Sequence, residues 1–162
     1  MSAQEHQEAK KAGAGRHLLL AVDETDSSRR AVMFVADFFG GYRDLAVTLL
    51  TILPEPPEDL QRGAHARHEP LAEQRRARET LCANYKKLLI GGGIAAARID
   101  TRVVVRSCTS IGDAILEEQE RLRCCIVAVG RRRISRHEEF MFGSTSSRIL
   151  HRASACAVLV VE

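Results

Sequence analysis

What this chain of 162 residues lacks narrows its role quickly. It has no tryptophan and only five phenylalanines and two tyrosines. No aromatic platform for stacking unpaired bases is recognisable, nor a helix-turn-helix or zinc finger, so nucleic acid is a disfavoured partner. Strong charge of one sign is missing too: 24 Lys and Arg stand against 21 Asp and Glu, a formal net charge of +3. That is too little to argue for a polyanionic partner or a membrane surface. No apolar run approaches a membrane span. The opening MSAQEHQEAKKAGAG lacks the apolar core of a secretory signal and reads as a polar, disordered tail over residues 1–15. Cytoplasmic localisation is the expectation.

Cysteine pairing signals are absent as well. Cys82, Cys108, Cys124, Cys125 and Cys156 are odd in number and show no CxxC spacing, so structural thiols in a reducing compartment are expected and a metal site is not. Catalytic signatures are also missing. His17, His65, His68, His137 and His151 pair with no evident nucleophile, and no G-x-S-x-G elbow occurs.

What is present is an alternation of apolar runs and amphipathic stretches on a 45% apolar background. Arg16 to Asp23 reads as a buried strand, continuous rather than alternating. Asp26-Ser27 is expected to cap a helix to Phe39, with Ala31, Phe34, Val35 and Phe38 at helical spacing and Gly40-Gly41 as its stop. A strand at Leu45–Leu53 runs into Pro54-Glu55-Pro56-Pro57, followed by a polar connection from Glu58 to about Pro70. A helix at Leu71–Leu89 buries Leu81, Cys82, Tyr85, Leu88 and Leu89. Then come a strand at Asp100–Arg106, a helix at Ile111–Leu122 capped by Thr109-Ser110 with Ile111 inward, a strand at Cys124–Val129, a helix at Ser144–Ala153 and a strand at Cys156–Val161. Strands alternating with helices give an α/β class with a parallel sheet. One domain over residues 16–162 is expected.

The most informative stretch is Ile126 to Ser147. An apolar strand stops at Gly130, and thirteen residues later Gly143-Ser144-Thr145-Ser146 opens a helix. A glycine leaving a strand and a Gly-Ser-Thr helix start can together form a phosphate cradle, because free backbone N–H groups and the positive helix end face the anion. Read locally, the same residues also make a plain helix cap. Arg131, Arg132, Arg133, Arg136 and His137 lie between them, either as a solvated loop or as charge steering for a polyphosphate.

At this point the chain resembles the universal stress proteins. LLLAVDETDSSRRAV resembles that family's first strand and helix start, and the C-terminal half carries its motif Gly-x2-Gly-x9-Gly-(Ser/Thr). Arg133 replaces the second glycine. The resemblance implies a three-layer α/β sandwich with a five-stranded parallel doubly wound sheet of order 3-2-1-4-5 (adenine nucleotide alpha hydrolase-like). It further implies a homodimer and, in one subclass, ATP binding with Mg²⁺ or Mn²⁺. Transferred residue by residue, Ala21, Val22 and Asp23 match adenosine contacts, Asp23 serving the ribose or a phosphate-bridging metal. Ile52 matches an adenine-pairing position, Val129 and Gly130 line the ribose and phosphate path, and Gly143, Ser144 and Thr145 match phosphate donors. The resemblance also allows phosphorylation at Ser144 or Thr145.

The resulting expectation is an ATP-binding regulatory stress-response protein rather than a true enzyme. Its alternatives are a nucleotide-free dimeric interaction module and a slow ATPase or phosphotransfer protein. Arg133 is expected to weaken a competent site, its side chain crowding the phosphates where glycine would let backbone approach. The edge strand Ala157–Val161 carries no Lys or Pro and is expected to pair with the same strand of a second copy.

Overall fold

Apolar runs become parallel strands, the central ones too uniformly apolar to leave a face in water. The computed structural model describes residues 16–55, 70–107, 110–131 and 144–162. Its strands are β1 (His17–Ala21), β2 (Ala46–Pro54), β3 (Ile99–Arg106), β4 (Ile126–Gly130) and β5 (Ala157–Val161). All neighbours are parallel and the order is β3-β2-β1-β4-β5, as the resemblance implied. Leu18, Leu19 and Leu20 of β1 are completely buried, the burial that a central strand covered on both faces requires.

Among the described residues four α-helices cover the sheet: α1 (Asp26–Phe39), α2 (Leu71–Gly91), α3 (Ile111–Leu122) and α4 (Ser144–Arg152). Leu18, Leu20, Val32, Val35, Tyr85 and Leu89 pack together on the side of α1 and α2. Leu19, Leu50, Ile115, Val127, Val129 and Ile149 pack on the side of α3 and α4. The result is helices, sheet, helices. Winding reverses between β1 and β4, leaving a crevice beyond their carboxyl ends.

Several local expectations shift. The cap of α1 is Thr25, whose side chain accepts from the Ser28 N–H, rather than Asp26-Ser27. Three cap-competent residues in a row made the local pattern ambiguous. The buried stripe of α1 is Ala31, Val32, Val35 and Ala36, whereas Phe34 and Phe38 are 38% and 60% exposed. The small side chains let the helix lie close to the sheet, and the two rings stack on each other outside it at 5.5 Å between centroids. Leu88 and Ile111 also lie outward, next to inward-facing Leu89 and Ile115 in the helical rotation.

Gly40 does end α1, but its backbone is right-handed, so positive φ is not why glycine is needed. A Cβ there would lie 1.7 Å from the Gly92 carbonyl oxygen. The helix ends of α1 and α2 touch through backbone. Among the described residues no helix is long and apolar enough to cross a membrane.

Candidate functional site

The crevice floor is built from strand ends. β1 finishes at Ala21, and Val22 still joins the ladder by donating its N–H to the Leu50 carbonyl at 2.8 Å. The Thr51 hydroxyl donates to the Val22 carbonyl, and the Tyr85 hydroxyl to the Asp23 carbonyl at 3.1 Å. Desolvation, then the neighbouring Asp23 charge, raises the pKa of Tyr85, so the phenol keeps its donor proton at neutral pH.

Asp23 turns the chain into α1. Its Oδ1 accepts from the Thr25 N–H at 3.0 Å, the Ser28 hydroxyl at 2.7 Å and the Thr25 hydroxyl. The Asp23 N–H in turn donates to Ser28 Oγ at 2.9 Å. Such an arrangement fixes the loop and satisfies donors at the start of a helix. Asp23 therefore has a structural task beside any ligand contact.

Opposite it, β4 ends at Gly130, pressed against the first turn of α1. A Cβ on Gly130 would fall 2.2 Å from the Ser27 carbonyl oxygen and 2.8 Å from the Ser28 nitrogen. No side chain fits unless backbone moves. The third wall is the start of α4, where Ser144 is exposed, Thr145 is half-buried and Ser146 is buried. No acidic residue occupies the first turn of α4, whereas α1 has Asp26 in its own. The positive end of α4 is thus the less neutralised of the two.

These walls enclose about 200 Å³, lined by Ala21, Val22, Asp23, Ile52, Val129, Gly130, Ser144 and Thr145, together with Ser27, Ser28, Leu50, Ile111, Ile115 and Ser146. Eight of the ten residues named from the sequence line one crevice. Arg133 and Gly143 lie outside the described residues, as do Arg132, Arg136 and His137. Arg131 pairs with Glu162 at 2.6 Å and donates its N–H to the Val161 carbonyl at 2.7 Å, so it ties β4 to the end of β5. Ser27, Ser28, Ile111 and Ile115 were not identified as site residues. The first two read as cap residues and the last two as core, and only the topology brings them to the switch point.

A larger recess of about 560 Å³ opens between Arg106, Ser110, Asp113, Glu117 and Arg152. Four of its charges already pair with one another, Arg106 with Glu117 and Arg152 with Asp113. It also lies away from the switch point, so the smaller crevice is the better binding candidate. Among the described residues no three His, Cys, Asp or Glu side chains are placed to hold a metal ion. A divalent cation here would need most of its ligands from a phosphate chain and water, with Asp23 as the nearby carboxylate.

The sequence profile of the universal stress protein family matches residues 15–162. A universal stress protein structure from Archaeoglobus fulgidus superposes with a TM-score of 0.67 at 19% identity, covering 95% of this chain and 98% of that one. A structure from the same organism in complex with dAMP gives 0.63 at 19% identity, with 92% and 99% covered. A universal stress protein in complex with cAMP gives 0.69 at 18% identity, with 92% and 98% covered. No curated protein sequence matches the chain.

Proposed function

Because the chain belongs to the universal stress protein family, we propose that it is a cytoplasmic, ATP-binding regulatory protein that works as a homodimer. The observation that carries this reading is the convergence of Asp23, Gly130, Ser144 and Thr145 on one crevice at the sheet's switch point, with the α4 start facing in. Ile52 and Val129 give an apolar wall for a base and ribose. The hydroxyls and N–H groups of Ser144 and Thr145 offer donors to phosphate oxygens. Mg²⁺ or Mn²⁺ would enter with the phosphates and meet Asp23. Bound dAMP and cAMP in the similar structures support an adenine nucleotide as ligand.

One observation favours a second reading, a nucleotide-free interaction module. Gly130 and Asp23 both have packing or capping reasons to be present. The decisive experiment is mass spectrometry of small molecules released from freshly purified protein, followed by calorimetry with ATP and Mg²⁺. Ser144→Ala is expected to weaken ATP binding by about 1–3 kcal/mol, the range for a hydrogen bond to a charged group. Absence of both released nucleotide and measurable ATP binding favours the interaction module. Undiminished binding by Ser144→Ala moves the phosphates elsewhere.

A further inference from the structure

At the amino ends of β4 and β5, the opposite edge of the sheet from the crevice, cysteines gather. Of the four described, Cys124 is buried, Cys125 exposed and Cys156 half-buried. The first paired residues of these strands are Ile126 and Ala157. That first pair is closed by the Ala157 N–H donating to the Cys125 carbonyl at 2.9 Å, with Cys125 and Cys156 each one residue ahead of it. Cys125 and Cys156 therefore immediately precede the paired starts of two adjacent parallel strands. Neighbouring strands are about 4.8 Å apart, inside the range of Cα separations a disulfide spans. Cys156 packs against the core on the α3–α4 face of the sheet, where Cys124 is also buried.

Left-handed residues lead into both strand starts, Arg123 with φ of 53° just before Cys124 and Ala155 with φ of 56° just before Cys156. Such backbone is uncommon outside glycine and persists where its surroundings hold it, so the two strand starts are firmly placed. The Cys125 Sγ donates weakly to the His17 carbonyl at 3.3 Å.

We propose that Cys125 and Cys156 form a reversible disulfide when the protein meets a hydroperoxide. The Cys125 thiolate attacks the peroxide, forming an S–O bond as the O–O bond breaks and hydroxide leaves. The sulfur of Cys156 then attacks the resulting sulfenic acid. The S–S bond forms, the S–O bond breaks, and water departs with the proton of the Cys156 thiol. With hydrogen peroxide, two thiols are oxidised and one peroxide is reduced to two waters. Cys124, whose thiol burial pushes up to about 12, stays reduced. The bridge encloses Gly130 and Ser144 in one covalent loop, so it ties down the phosphate side of the crevice without touching it.

The test treats reduced full-length protein with hydrogen peroxide and maps its peptides by mass spectrometry without reductant. A Cys125–Cys156 linked peptide, cleaved by dithiothreitol, is expected, with a higher melting temperature for the oxidised form. In Cys156→Ser, Cys125 is expected to persist as a sulfenic acid trapped by dimedone, while Cys82→Ser behaves as wild type. Cys125 ending as sulfinic acid in the wild type overturns the proposal. So does a bridge to Cys124, to Cys108 or between two chains, or the absence of any bridge.

Discussion

Gly130 shows how one residue can satisfy two explanations. Its place in the glycine spacing suggested a phosphate path, and the structure adds a packing demand from the Ser27 carbonyl. Gly130→Ala is therefore expected to lower stability by about 1–3 kcal/mol through overpacking, nucleotide or not. A urea unfolding midpoint unchanged from wild type would show that α1 yields at this contact. The glycine was legible in the sequence, since it ends an apolar run at the right distance from Gly143-Ser144. Its partner was not, because Ser27 lies about a hundred residues away in the chain and meets it only through the β1–β4 pairing. The arginine run was half legible: its charge was plain, but not that Arg131 would pair with Glu162.

Among the elements, α4 is the one the proposed function leans on most. It is short and held to α3 by a two-point contact, Arg148 Nε and Nη2 donating to Asp113 at 2.9 and 2.7 Å, with Arg152 Nε 3.4 Å away. The hydrogen bond from Arg148, and then the charges of Arg148 and Arg152, hold the Asp113 carboxyl below its ordinary range. A depressed folded-state value means the contribution is fully present above the unfolded carboxyl pKa of about 3.9 and is lost as pH falls through the folded value. Asp113→Asn is expected to flatten that acid limb of stability, read as urea midpoints across pH 2 to 6 by order of magnitude. An acid limb identical to wild type would assign the effect to other carboxylates. Gly112 makes the same junction tight, since a Cβ there would meet the Arg148 side chain at 2.8 Å. The sequence marked α4 by its Gly-Ser-Thr start. Ion pairs between helices leave no periodic trace, so this anchorage was hidden.

For the whole molecule, class was legible and order was not. Alternating apolar runs and amphipathic stretches led to a parallel α/β sheet, but strand order came from resemblance, because periodicity carries no information on which strands are neighbours. The order leaves β5 at an edge, with Ala157 exposed and Val158 to Val161 half-buried. The proposed homodimer pairs this strand with its copy, so light scattering is expected to give twice the 17.9 kDa chain mass. A monomer at tens of micromolar, by order of magnitude for a stable interface, would count against it. The same topology has a consequence for the chain as it is being made. Leu18 pairs with Val47 on one side and with Ile126 on the other. At about 5–20 residues per second, the ribosome needs roughly 4 to 16 s to travel between those partners. For that interval the central strand of the sheet has one finished edge and one bare one. Until β4 is made, that bare edge is open to pairing with another chain.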